Sequence, residues 1–69
     1  MKLSARNVLP GKVIALKKGP ISTLVVLEVA NGVRLTSTVT SSAARELKLA
    51  KGKAAYAIIK SSSVMLGID

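Results

Sequence analysis

The stretch that most constrains the fold is residues 21–30, Ile-Ser-Thr-Leu-Val-Val-Leu-Glu-Val-Ala. Side chains alternate between the two faces of a strand. Read that way, Thr23, Val25, Leu27 and Val29 lie on one face and Leu24, Val26, Glu28 and Ala30 on the other. Both faces are largely apolar, the pattern of a strand covered on both sides. A chain of 69 residues, read as one domain over 1–69, buries too small a fraction of its surface to cover both faces easily. Domains of this size lean on disulfides, a structural metal or partner subunits. The sequence has no Cys and no His, and its only carboxylate side chains are Glu28, Glu46 and Asp69. By elimination, reinforcement falls to oligomerisation, and a subunit interface is the expected cover for the second face.

The rest of the chain has an all-β rhythm, with Val, Ile, Leu and Thr runs separated by Gly, Pro and Asn breaks. Residues 3–8 read as a first short strand interrupted at Pro10-Gly11, and residues 12–17 continue it up to the break at Lys18-Gly19-Pro20. Proline cannot donate to a ladder, so Pro10 and Pro20 belong at an edge or a corner. Asn31-Gly32 predicts a type I′ hairpin, with residues 33–39 as the return strand. Residues 40–49 change period and predict one short helix, capped by Thr40 or Ser41 and closed before Gly52. Residues 53–59 return to β, and residues 64–68 read as a closing strand. Five strands with one helix before the penultimate one predict an all-β fold with one short helix, an OB-like five-stranded β-barrel.

No apolar core of an export signal follows Met1-Lys2, and the longest nearly apolar run is too short to span a bilayer. A cytoplasmic protein with no membrane partner is expected. Eleven Lys and Arg against three Asp and Glu give a net charge of +8, so the partner should be an anion. A small basic OB-like nucleic-acid-binding domain is one reading of that charge. Single-strand binders stack bases on aromatic rings, however, and Tyr56 is the only aromatic residue, which weighs against it. Catalysis is hard to assemble without His, Cys or paired carboxylates. A Ser–Lys dyad around Lys60 lacks a third group to orient it. The chain reads as a binder and not an enzyme, with no catalytic cofactor.

Two segments concentrate hydrogen-bond donors. Ser4-Ala5-Arg6-Asn7 offers a hydroxyl, a guanidinium fork suited to oxyanions, a side-chain amide and several backbone N–H groups. The bland alternative is a solvated strand whose Arg6 points into water. Lys60-Ser61-Ser62-Ser63 can bring backbone N–H groups around an anion as a nest. Its bland alternative is an ordinary polar turn. The lysines at 17, 18, 48, 51 and 53 read as a solvated surface that concentrates anions without ligating them.

Ser4-Ala5-Arg6-Asn7, then Leu9, Gly11 and Val13, resembles the opening of the molybdate-binding Mop domain, which also forms the TOBE region of molybdate transport ATPases and molybdate-responsive regulators. The resemblance continues through Leu16-Lys17-Lys18-Gly19, Leu35-Thr36-Ser37 and Glu46-Leu47 to Ala57-Ile58-Ile59-Lys60-Ser61 and Val64-Met65. It covers essentially the whole chain, like the free-standing members, the molbindins. The resemblance implies an intracellular molybdate or tungstate binder for storage or homeostasis, a hexamer built as a trimer of dimers with anions at subunit interfaces. It implies a pocket of Ser4, Ala5, Arg6 and Asn7 from one subunit facing Lys60, Ser61 and Ser62 of another. It also implies a second oxyanion site, which we place at Lys18, Gly19 and Ser22. No metal cation is expected. Val8, Pro10 and Ser62-Ser63 depart from the usual family pattern and bear on affinity more than on the existence of the pocket. A tetrahedral dianion needs donors on all sides and no acceptor, so a donor-only pocket disfavours partly protonated phosphate.

Overall fold

The computed structural model describes residues 4–69, and the part of the first predicted strand at Leu3 lies outside them. Four antiparallel strands form one sheet: β1 (Asn7–Lys18), β2 (Ser22–Ala30), β3 (Val33–Thr40) and β4 (Ala54–Ile59), in the order β3-β2-β1-β4. A helix α1 (Ser41–Glu46) joins β3 to β4, and a 3₁₀ turn (Ser61–Ser63) follows β4.

The first strand is continuous across Pro10-Gly11. Residues 7–12 pair with β4 and residues 12–18 with β2, so Pro10 lies where β1 has a partner on one side only and its missing N–H is tolerated. The changeover is marked by an irregularity between Val13 and Ala15. There the Val13 N–H donates to the Lys53 carbonyl (2.9 Å) and the Gly52 N–H to the Val13 carbonyl (2.7 Å). A bulge of this kind bends a strand and increases its twist, which lets one long strand serve both halves of a curled sheet.

Val13, Val25 and Leu27 are the buried apolar core, with Leu16, Val29, Val39, Leu49, Ala55 and Ala57 packed around them. The face of β2 carrying Thr23, Val25 and Leu27 is therefore the inner one. On its other face Val26 is half-buried and Leu24 is exposed, so a single chain leaves that second face uncovered.

The hairpin at Asn31-Gly32 forms, with Ala30 opposite Val33, but it is not type I′. Gly32 has φ of +75° while Asn31 is not in the positive-φ region. Turns of that sense fit the strand twist less well, and an irregularity between Glu28 and Ala30 next to the turn absorbs the mismatch. The helix is shorter than its sequence period suggests. Thr40 caps it by accepting the Ala43 N–H at 3.1 Å, and it ends at Glu46. Exposed Thr40 does little but cap, so Thr40→Ala should cost about 1 kcal/mol of stability, read as a lowered urea midpoint with an unchanged slope.

The predicted fifth strand does not form. Residues 64–69 have no regular structure, and Met65, Leu66 and Ile68 are 92%, 94% and 100% exposed. A strand needs an edge to pair with, and in one chain this segment leads away from both edges, β3 and β4. Between those edges runs an apolar trough of about 570 Å³, floored by Val13, Val25 and Leu27 and walled by Leu35, Val39, Ala55 and Ala57.

Candidate functional site

The ladder between β1 and β4 decides where the donor segments fall. Asn7 pairs with Ile59, Val8 with Ile58 and Leu9 with Ala57, antiparallel. The segment entering β1 (Ser4, Ala5, Arg6) and the segment leaving β4 (Lys60, Ser61, Ser62) therefore emerge from the same end of the sheet within one chain. The Asn7 side chain fastens this corner, its Nδ2 donating to the Ile59 carbonyl at 3.2 Å. One of its two amide protons is thereby committed to structure.

The remaining donors are uncommitted. Ser4, Arg6, Lys60, Ser61 and Ser62 are exposed, and Ala5 and Asn7 half-buried. Lys60 precedes the 3₁₀ turn in extended conformation, and the first turn bonds run from the Ser63 N–H to the Lys60 carbonyl and from the Val64 N–H to the Ser61 carbonyl. Ser61 and Ser62 thus start the turn with N–H groups that donate to nothing among the described residues. The one ion pair among the described residues, Arg34 to Glu28 at 3.7 Å, lies at the far hairpin, so neither Arg6 nor Lys60 is neutralised by a carboxylate. No cluster of His, Cys, Asp and Glu able to hold a metal cation occurs among the described residues. The corner has donors and positive charge and little to accept with, a set matched to a fully ionised oxyanion.

The second predicted location is assembled differently from expectation. Lys18 and Gly19 line a cleft of about 310 Å³ between the end of β1 and α1, but Ser22 does not; its other walls are Leu16, Thr23, Ser41, Ala44, Arg45, Lys48 and Leu49. The Gly19 N–H donates to the Ser22 carbonyl at 3.0 Å, and the Gly19 carbonyl accepts from Ser41 Oγ at 2.6 Å. The backbone at Gly19 is therefore occupied, and the cleft's charge comes from Lys18, Arg45 and Lys48. Lys48, read from the sequence as solvated surface, is one of its walls. A signal for this was present: Ser41, Ala44, Arg45 and Lys48 follow the i, i+3, i+4, i+7 spacing of one helical face.

Lys53 has a different part. Its Nζ donates to the carbonyls of Leu47 (2.7 Å) and Lys48 (3.1 Å), satisfying acceptors at the end of α1.

Comparison with known proteins agrees with this geometry. The TOBE domain family model matches residues 3–66. A probable molybdenum-pterin-binding protein of Haemophilus influenzae is 48% identical over 69 residues, covering all of both chains. Among solved structures, MopII from Clostridium pasteurianum superposes with a TM-score of 0.90 at 42% identity, covering 97% of this chain and all of that one. The cytoplasmic molybdate-binding protein ModG, solved with molybdate bound, superposes with a TM-score of 0.83 at 40% identity, covering 96% of this chain and 53% of that one. The sheet of four strands, open at its edges in a single chain, is thus the Mop variant of the OB-like fold. The chain belongs to the TOBE domain family and, within it, to the Mop proteins.

Proposed function

We propose that this protein binds molybdate or tungstate at the corner where β1 begins and β4 ends, and releases it chemically unchanged, in a cytoplasmic storage or buffering role. The observation that carries the proposal is the β1–β4 register, which places Arg6 and Lys60 on segments leaving the same end of the sheet. In this reading Ser4, Ser61 and Ser62 supply hydroxyls, Arg6 and Lys60 supply charge, and the backbone at Ala5 and Ser61 supplies N–H donors. Asn7 fixes the spacing of the two segments. The ModG structure, a relative with molybdate bound, supports the choice of anion. The names of the relatives describe binding proteins, and a nucleic-acid interface finds no stacking platform here, since Tyr56 stands alone.

The working form is a homo-oligomer, proposed as a hexamer made from three dimers. Three features support association: the bare outer face of β2, the apolar trough between β3 and β4, and the exposed tail at Val64, Met65, Leu66 and Ile68. Contiguous exposed apolar surface of this kind marks an interaction site, and the tail of a second copy has the composition to occupy the trough. The corner of a neighbouring copy then closes the open side of the anion site.

A ligand that binds only the native state stabilises it by about 2.7 kcal/mol at a hundredfold excess over Kd. For a domain of this size that raises the melting temperature by roughly 10 °C or more. Molybdate and tungstate should produce this shift and sulfate little of it. A melting temperature unmoved by millimolar molybdate would overturn the proposal.

A further inference from the structure

The cleft between β1 and α1 has features that an inorganic oxyanion does not use. Its rim carries Lys18, Arg45 and Lys48, and no carboxylate lines it. None of the three has a carboxylate partner or donates a side-chain hydrogen bond within the described residues, in contrast to Lys53, whose ammonium closes the helix. Three cations held around one concavity with no counter-charge raise its potential and attract anions.

The floor is of another character. Leu16, Ala44 and Leu49 supply apolar surface. Thr23 and Ser41 are buried there and joined at 2.8 Å. Ser41 gives its single proton to the Gly19 carbonyl, so the Thr23 hydroxyl must donate to Ser41 Oγ. Neither hydroxyl proton is left for an anion, and the floor presents methylene, methyl and lone-pair surface only. The cleft's volume of about 310 Å³ corresponds to roughly ten water molecules. That is the lower end of the range for organic ligands and far more than five heavy atoms in a tetrahedral ion fill.

Lys48 supplies an independent observation. It has φ of +54°, at the position after the helix cap where glycine or asparagine is usual. The Leu49 N–H donates to the Ala44 carbonyl and the Lys48 N–H to the Arg45 carbonyl, both at 3.0 Å, which is the Schellman closure. A side chain in this left-handed conformation is strained relative to glycine. Glycine would make the same turn more easily, yet the chain carries a lysine, and that lysine lines the cleft.

We propose that this cleft is a second ligand site, distinct from the oxyanion corner, for a phosphomonoester with an apolar body. Arg45 clamps the phosphate through its planar fork, Lys18 and Lys48 complete the charge, and the body lies against Leu16, Ala44 and Leu49. The test is titration of the full chain with 1-naphthyl phosphate, by fluorescence or calorimetry, in the absence and presence of saturating molybdate. The expected result is one saturable site per chain, about tenfold or more tighter than inorganic phosphate and unchanged by molybdate. Arg45→Ala should weaken it about tenfold or more. Lys48→Gly should weaken it about threefold while leaving the melting temperature equal or higher, opposite signs that a merely structural lysine does not produce. The proposal is overturned if 1-naphthyl phosphate binds no tighter than inorganic phosphate, if molybdate displaces it, or if both variants bind it as the parent does. Loss of molybdate binding alone leaves it standing, so the two sites are judged separately.

Discussion

Replacing Gly11 by alanine is expected to destabilise the protein by about 2–4 kcal/mol, although it adds a single methyl group. A Cβ built at Gly11 lies 2.6 Å from the Glu28 carbonyl oxygen, 3.0 Å from Leu27 Cγ and 3.1 Å from Val29 Cγ1. The first contact is with backbone and cannot be relieved by a rotamer change. Gly11 sits where β1 leaves its pairing with β4 and approaches β2, so relief requires the two halves of the sheet to part. Overpacking a fitted interior costs about 1–3 kcal/mol, and a clash with a strand carbonyl belongs at or above the upper end. At about 4–8 °C per kcal/mol for a domain of this size, the melting temperature should fall by roughly 10 °C or more. Gly67→Ala is the matched control, since its Cβ meets nothing within 4 Å, and it should change stability by less than about 0.5 kcal/mol. Equal melting temperatures for the two variants would show that β1 and β2 do not approach as described.

The second large effect is on ligand affinity. Hydrogen bonds involving charged groups contribute about 1.5–3 kcal/mol each, so Arg6→Ala and Lys60→Ala should each weaken molybdate binding by roughly ten- to a hundredfold. Both side chains are exposed, so neither variant should lower the melting temperature of the ligand-free protein appreciably. Lys17→Gln removes a positive charge from an exposed position further along β1 and should change affinity by less than about threefold, because exposed charges beyond about 10 Å are screened at ordinary salt. The double variant should lose less than the sum of the single losses, since two donors gripping one dianion are coupled. Strict additivity, or a Lys17→Gln effect as large as that of Lys60→Ala, would place the anion elsewhere on the basic surface.

The strands were legible because their signals are local. The alternation in Ile21 to Ala30, the Asn31-Gly32 break and the Thr40 cap each depend on neighbours in sequence, and each appears in the structure near its expected place. The failures arise where distant parts of the chain decide. Pro10-Gly11 reads as an interruption, yet β4 holds both residues in a strand from the far end of the sequence. The apolar period at 64–68 reads as a strand, but periodicity carries no information about whether an edge is within reach. Asn31-Gly32 predicts a hairpin correctly and its turn type incorrectly, because the neighbouring bulge alters the twist that the turn must match. At the oxyanion corner, residue chemistry identified the donor segments, whereas their convergence within one chain is a property of register. The cationic cleft was missed because its three charges come from two elements, and only the helical spacing of Arg45 and Lys48 was there to be seen.

One property of the β1–β4 pairing bears on how the protein is made. Asn7 and Ile59 touch across a separation of 52 positions, among the most distant contacts this chain can form, and pairings of such span are the slow ones in folding. During synthesis the amino-terminal half of the corner leaves the ribosome early and waits until nearly the whole polypeptide has emerged. A nascent or truncated chain lacking β4 therefore has no means of withdrawing oxyanion from the cell, and sequestering capacity tracks completed molecules alone. Once the corner is fastened, bound anion ties the two chain ends together and acts as a clasp on the same long-range pairing that was last to form.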